Sequence, residues 1–418
     1  MSGELNFDRM QAAGGGFSPL AHIRVLDFSK ILAGPLCTQY LADLGANVIK
    51  VEPPSGDDTR HWPPFEDGIG TIFLAVNRNK RDLVVDLRRP EGRALCRQLA
   101  IGSDVVVESF GPGVADRLGI GWEAMQAVNP RLVYASISGF GTQGPMKGDK
   151  GYDLIAQAFT GMLALTGAPD GPPARSPFSP IDQATGYHAV IGILAALMQR
   201  DQTGIGVKIE TSLFDSAVGF LGYFLQSYWQ RGVEPVRPGS GHESLCPYQA
   251  FDTADRPIIL GIANDGFWRS FCDLVERPEL ALDQRFATGS QRVENRETVV
   301  ALVADLLRGR TRAEWLAELG SRNIPASPVH SLGELSAHPH TEASGMVLHD
   351  GDFKAIATPI RASGQRLGLR RQPPLLGQHS REIVNELELP AEEIDRLFAQ
   401  GVIAEPASTH SPNDHRGE

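Results

Sequence analysis

The 418-residue sequence predicts an α/β protein with a large domain around a mainly parallel sheet and a smaller α+β domain. Two observations carry this. From residue 23 to residue 137, short runs rich in Val, Ile and Leu alternate with helix-like segments of about ten residues, the spacing of right-handed βαβ units. After about Phe224 the alternation stops at a Gly- and Pro-rich stretch, Gly232 to Gly241.

The elements follow in order. Residues 23–28 read as a buried strand, and Gly34-Pro35 opens a helix through Leu44 that Gly45 stops. Residues 47–52 form the next strand, ended by Pro53-Pro54. Residues 83–87 precede a helix over 90–100, and 104–108 and 132–137 are further strands. Ligands of open α/β sheets bind beyond the carboxyl ends of the strands, so the loops after Phe28, Glu52, Glu108 and Ile137 are candidate site walls. In the second part, Thr253-Ala254-Asp255-Arg256 reads as a hairpin turn, and helices follow over 266–275, 296–307 and 311–319. The expected division is a large domain over 18–230, a small domain over 235–330, a return segment over 340–403 with a helix from Ser380 to Leu387, and an unstructured polar tail over 406–418.

Composition narrows the function. Lys and Arg number 39 against 50 Asp and Glu, a net charge of -11, which disfavours nucleic acid and anionic membranes as partners. The cysteines Cys37, Cys96, Cys246 and Cys272 show no zinc-type spacing and fit a reducing compartment. No signal sequence is evident, and the longest apolar run, Ala189 to Met198, is too short to span a bilayer. A cytoplasmic protein is expected.

The most informative residue is Asp182 in Ser179-Pro180-Ile181-Asp182-Gln183-Ala184-Thr185-Gly186, ahead of an apolar helical run over 187–198. A Gly/Pro-rich turn, Thr166 to Pro173, lies upstream. Aspartate is a preferred helix N-cap. The helix end favours its ionised form, and an ionised, positioned carboxylate can attack an acyl carbon. Cap and nucleophile are both open from position alone. Cys37 reads as a small buried apolar residue rather than an activated thiol, and His188 as a satisfied core histidine. Between Arg78 and Arg97, seven cations (Arg78, Lys80, Arg81, Arg88, Arg89, Arg93, Arg97) face three acids. This run is either a solvated helix face or a phosphate site. No P-loop occurs, and no G-x-G-x-x-G follows the first strand.

The ordered blocks Leu26-Asp27-Phe28, Ala33-Gly34-Pro35, Gly45 to Glu52, Asn77 to Arg81, Leu118 to Trp122, Asn129 to Leu132, Ser138 to Gly141, Gly151-Tyr152-Asp153, Asp170 to Pro173 and Ile193 to Leu197 resemble the family III CoA-transferases, the CaiB/BaiF group, over residues 20 to 400. The resemblance implies a Rossmann-like large domain built from both chain ends, a small domain and an interlocked homodimer. It implies that Asp182 attacks an acyl-CoA thioester, forming an aspartyl anhydride and then an aspartyl-CoA thioester, with no metal or redox cofactor. It places CoA contacts at Leu32, Ala33, Val85, Asp86, Leu87, Arg88, Ser109, Phe110, Gly111, Arg117, Asp149, Lys150, Gly151, Tyr152 and Asp153. Tyr152 stands where the related racemases carry a general-base histidine, and an ordinary phenol, with a pKa of about 10, is a poor base for an α-proton. A racemase is thus the weaker alternative, and a CoA-binding protein without catalysis is a further one. The Gly241-His242 turn, Pro247 to Phe251 and Pro373 to His379 look like transferases that use succinyl-CoA or related dicarboxylyl-CoA donors. Arg175 or His242 could bind a distal carboxylate.

Overall fold

The structure is a computed structural model and describes residues 16–406, so all of the expected tail except Pro406 lies outside the described residues. The described residues divide into two compact units: residues 16–160, 177–222 and 343–406, and residues 161–176 and 223–342.

The first unit is built on a seven-stranded sheet. Its strands are β1 (Arg24–Asp27), β2 (Asn47–Glu52), β3 (Lys80–Val85), β4 (Val105–Glu108), β5 (Val133–Ser138), β6 (Lys208–Ser212) and β7 (Ile403–Ala404), in the order 7-3-2-1-4-5-6. All pairs are parallel except β7 with β3. The order 3-2-1-4-5-6 is that of dinucleotide-binding sheets, and it reverses between β1 and β4. Five helices concern the site: α1 (Ala33–Asp43), α2 (Pro90–Ile101), α3 (Asp153–Phe159), α4 (Pro180–Thr203) and α5 (Leu213–Phe220).

Strand alternation separates two cores. Leu26, Ile49, Leu83, Val106 and Tyr134 point to one face, where Leu95 and Leu99 of α2 meet Ile383, Leu387, Ile394 and Leu397 from the far end of the chain. Val25, Val48, Val105, Val133 and Ile137 point to the other, under Cys37 and Leu41 of α1 and Ala189, Ile193 and Leu197 of α4. The return segment therefore supplies a core layer as well as the edge strand β7. Its proline turn is tied down by polar contacts: the Arg60 guanidinium donates to the Pro374 carbonyl at 3.1 Å, and the Gly377 N–H donates to Asp82 at 2.5 Å.

The sheet also carries charge inside. Asp27, Lys50 and Asp82 stand side by side on β1, β2 and β3. Lys80 Nζ donates to Asp27 at 3.0 Å, to the Pro35 carbonyl at 2.9 Å and to Asn77 at 2.8 Å. Lys50 Nζ donates to Asp57 and to the Ser29 carbonyl, each at 3.0 Å. Burial alone would raise the Asp27 carboxyl, but Lys80, Lys50, Ser29 and Thr38 outweigh it and hold it below its ordinary value. These contacts converge on residues 29–31, the loop between β1 and α1, and the Ile31 N–H also donates to Asp57. The basic run therefore does not form one anion site. Arg78 pairs with Asp43 at 2.6 Å, Lys80 with Asp27, and Arg81 with Glu382 at 2.8 Å and with Glu386, all three cations buried. Only its later half, from Arg88, is even partly open to solvent.

In the second unit, Tyr248–Phe251, Ile258–Gly261 and Ala326–Pro328 form an antiparallel sheet, with the expected hairpin turn between the first two strands. Helices Asp265–Leu274, Arg296–Leu307 and Arg312–Ser321 cover Trp268, Phe271, Phe286 and Trp315. Thr311 and Glu314 form a reciprocal capping box at the last of these helices. The segment 161–176 groups with this unit.

Candidate active site at the carboxyl edge of the sheet

The residues expected to contact CoA in the first unit sit on loops that leave the carboxyl ends of four strands. Leu32 and Ala33 follow β1, Asp86 to Arg88 follow β3, Ser109 to Gly111 follow β4, and Asp149 to Asp153 lie beyond β5. The β1 and β4 loops meet at the reversal point, where the Lys30 N–H donates to Ser109 Oγ at 3.0 Å. This is the crevice in which open α/β sheets bind their ligands.

The structure separates these residues by what their side chains can still do. Val85 is buried at the end of β3, and Ala33 is buried in α1, which leaves only backbone for a ligand. Asp86 is engaged by Arg88 at 2.8 Å, while the Arg88 side chain itself is 81% exposed. Arg117, Asp149, Lys150 and Tyr152 are exposed, and Leu32, Leu87, Ser109 and Phe110 are partly so. Gly139 and Gly151 allow the Asp149–Asp153 stretch to lie directly on the chain leaving β5. A Cβ on Gly139 would stand 2.4 Å from the Gly151 nitrogen, and one on Gly151 would stand 2.5 Å from the Gly139 Cα.

That close approach delivers Asp153 to the start of α4. Its Oδ2 accepts the backbone N–H of Ile181 at 2.8 Å and of Asp182 at 3.1 Å, and its Oδ1 accepts from Gln157. Asp153 is buried, so its carboxylate caps α4 from another helix, α3, and is not available to CoA. The helix begins at Pro180, seven residues before the apolar run that announced it, with Ser179 as N-cap at φ 49 and no side-chain cap of its own. Asp182 therefore sits in the first turn, inside the helix, and is not its cap. Among the described residues its carboxylate has no hydrogen-bond or ion-pair partner.

The charge state differs from the expectation too. Burial pushes the Asp182 carboxyl from 3.8 up to about 7, and the Asp153 carboxylate adds to the rise. Desolvation and a like charge thus outweigh the favourable helix end. A carboxylate poised near neutrality, unpaired and half open, is suited to reaction.

Several expectations fall out differently. Cys37 is fully buried and its thiol is raised by burial, as fits a core residue. His188 is not in the core: it is exposed on α4, and its Nδ1 meets Ser216 Oγ at 3.0 Å. Arg175 and His242 belong to the second unit. Arg175 is exposed, and its Nε donates to the Ser176 carbonyl at 3.4 Å. His242 Nδ1 accepts the Ser244 N–H at 3.0 Å, the geometry of a turn residue. Sequence reasoning passed over Glu108, which is buried at the end of β4. Its carboxylate accepts from Ser136 and from the Phe110 N–H at 2.8 Å, and so shapes the β4 loop. A carboxylate closing a Val-rich strand was the available signal.

The fold and edge loops define a Rossmann-type α/β protein whose candidate site lies at the reversal point of a mainly parallel sheet. The profile of CoA-transferase family III matches residues 20–380, and the chain belongs to that family; it is a CoA-transferase. It is 38% identical over 411 residues to an acyl-CoA transferase of Fusarium pseudograminearum, covering 94% of this chain and 90% of the relative. It is 37% identical to the succinyl-CoA:glutarate CoA-transferase of Mus musculus, covering 94% and 92%. A crystal structure of a CaiB/BaiF family protein from Brucella suis superposes with a TM-score of 0.81 at 39% identity, over 89% of this chain and 100% of that one.

The capping arrangement makes a prediction independent of activity. Asp153→Asn keeps an oxygen for the two N–H groups but removes the like charge. Asp182 should then titrate below 7 in a carboxyl-carbon NMR titration while the melting temperature stays within a few degrees of wild type. An unmoved titration would show that Asp153 acts only as a cap.

Proposed function

We propose that this chain moves CoA from succinyl-CoA, or another short-chain dicarboxylyl-CoA, to a second carboxylic acid through covalent intermediates on Asp182. The observation that carries the reading is the Asp182 carboxylate itself: it lies in the first turn of α4 with no partner among the described residues, while Asp153 caps the helix. The likeness to a succinyl-CoA:glutarate CoA-transferase supports the donor class.

The steps balance as acyl substitutions. Asp182 Oδ attacks the thioester carbon, giving an aspartyl–acyl anhydride and CoA thiolate. The thiolate attacks the aspartyl carbon of the anhydride, forms aspartyl-CoA and releases the donor acid. The acceptor carboxylate attacks aspartyl-CoA, forms a second anhydride and frees the thiolate again. The thiolate then attacks the acceptor's carbonyl, so that the new acyl-CoA leaves and Asp182 is restored. Arg88, Arg117 and Lys150 would hold the phosphates of CoA, and the loops at Leu32–Ala33 and Ser109–Gly111 its remainder. Arg175 and His242 stay candidates for the distal carboxylate. No metal or redox cofactor enters this scheme. The proposal includes an interlocked homodimer; the exposed Ile191 (64%) and Met198 (69%) on α4 support a covering partner surface.

The test is chemical trapping. Protein incubated with succinyl-CoA is quenched with hydroxylamine, and the modified residue is mapped by mass spectrometry. A hydroxamate at Asp182 is expected. Transfer without a label there defeats the mechanism, and deuterium wash-in at the α-carbon without acyl exchange would favour a racemase.

A further inference from the structure

The loop between β1 and α1 is held in a conformation that its sequence resists. Ile31 has φ 74, and among the described residues it is the only β-branched one with a positive φ. A branched Cβ crowds the backbone in that left-handed region, and such strain persists only where the surroundings impose it. We propose that Asp57 is the positioning residue that imposes it, so that Leu32 and Ala33 stand where they receive CoA; the inference rests on the CoA reading of the crevice above.

Asp57 does more than its place in the chain requires. It caps a short helical turn, Asp58–His61, and its Oδ1 accepts the Thr59 N–H at 3.0 Å and the Thr59 hydroxyl at 2.8 Å. One oxygen suffices for that. The other accepts from Lys50 Nζ at 3.0 Å, and the two oxygens lie 3.3 and 3.2 Å from the Ile31 nitrogen, which donates to them. Ile31 precedes Asp57 by 26 residues, so no local turn accounts for the contact. The side chains of Asp57 and Lys50 are fully buried, and the Glu52 carboxylate fixes the Asp57 N–H at 2.5 Å. A carboxylate beside its ammonium partner accepts charge-assisted hydrogen bonds, which are stronger than neutral ones. Lys50 also holds the Ser29 carbonyl, and Ser109 Oγ takes the Lys30 N–H, so residues 29, 30 and 31 each have a fixed backbone group.

The held loop ends at the site. Leu32 and Ala33 open α1 beside the sheet's reversal point; α1 has no side-chain cap, and their N–H groups have no partner among the described residues. The Ala33 carbonyl lies 2.7 Å from a Cβ built on Gly186 of α4, and Asp182 stands one turn before Gly186 on the same side of that helix. Relaxing Ile31 to a negative φ would swing the peptide that follows it and carry Leu32 and Ala33 off this position. CoA would then have to restore the strained loop on binding, and its affinity would fall by that cost.

Calorimetric titration of CoA into the full chain gives Kd, and transfer from succinyl-CoA to glutarate gives KM and kcat. Asp57→Ala should raise the CoA Kd and the succinyl-CoA KM at least tenfold while kcat falls less than threefold. Adding Ile31→Gly should recover at least threefold of the lost affinity, because glycine takes a positive φ without being held there. The same glycine in the wild-type background should bring no gain. A residue that merely caps its own turn would show no such rescue. Ile31→Pro tests the loop with the Asp57–Lys50 pair intact: proline has no N–H and fixes φ near about −65°, so the CoA Kd should again rise at least tenfold. A CoA Kd within twofold of wild type in Asp57→Ala or in Ile31→Pro overturns the assignment, as does a glycine that recovers nothing. If Asp57→Ala does not fold, Ile31→Pro decides. A wild type that binds CoA but transfers it to no acid defeats the transferase reading and leaves the Kd values to decide the role of Asp57. A wild type that binds no CoA overturns the assignment.

Discussion

Asp182→Asn should lose CoA transfer by at least a thousandfold and, at pH 8, melt at a higher temperature than wild type. The two effects share one cause. Folded Asp182 is raised from 3.8 to about 7 by burial and by the Asp153 carboxylate. Between pH 4 and 7 the folded chain therefore holds a proton that the unfolded chain has released, and stability declines as pH rises through that window. Above pH 7 the ionised carboxylate is in place, partly desolvated and beside a like charge. A shift of this size corresponds to about 4 kcal/mol at most, and solvent around a partly open group reduces it to roughly 1–3 kcal/mol. The amide removes that cost, so a gain of a few degrees is expected at pH 8, less than half of it at pH 5, and almost none at pH 3, where folded and unfolded chains are both protonated. Wild-type kcat should follow the same ionisation. About one molecule in ten carries the carboxylate at pH 6 and nine in ten at pH 8, so the rate should climb nearly tenfold between them. Equal melting temperatures of variant and wild type at pH 8, or a flat rate profile from pH 6 to 8, would remove the link between a strained carboxylate and catalysis.

Local patterns carried the frame of the molecule. The strand at 47–52 and the helix beginning at Pro90 are where apolar runs and a proline at the first helical position put them. The start of α4 was not legible, because Thr185 and Gly186, early in its course, are weak helix formers. Packing explains them: a Cβ on Gly186 would lie 2.7 Å from the Ala33 carbonyl, so glycine lets α4 press on α1. The position of Asp182 could be read from the sequence, but its protonation could not. That depends on Asp153, a residue 29 positions away, reaching the same helix end. His188 was misjudged because apolar neighbours along the sequence say little about which side of a helix faces solvent.

Charge was the least legible property. Strand β3 was expected over 83–87 because Lys80, Arg81 and Asp82 look like surface residues, yet it spans Lys80–Val85 with all three buried. Their partners are distant: Asp27 for Lys80, Glu386 for Arg81, and the Gly377 N–H for Asp82. A window of twenty residues counts the cations of this run but cannot see carboxylates 53 or 305 positions away. The seeming phosphate patch is, in its first half, the inside of the sheet.

Asp27→Asn should accordingly be among the most damaging single changes outside the catalytic carboxylate. Asp27 and Lys80 are both fully buried, and the carboxylate also anchors Ser29 and Thr38 beneath the β1 loop. Burial drives the Lys80 amine down to about 8 even with Asp27 beside it, so the pair holds its charge narrowly at pH 7. Removing one partner of a buried pair leaves the other uncompensated and costs about 3–5 kcal/mol, a large share of a typical stability of about 5–15 kcal/mol. Replacing both charges costs less, because Asn still accepts the Ser29 N–H and a methionine at position 80 brings no charge to solvate. The double variant Asp27→Asn, Lys80→Met should therefore be at least ~2 kcal/mol more stable than the sum of the single losses implies. Urea melts of the four proteins at pH 7 measure that coupling. Additive losses would mean that the two side chains are held by their separate hydrogen bonds, and that the ion pair does not organise the loop on which the crevice stands.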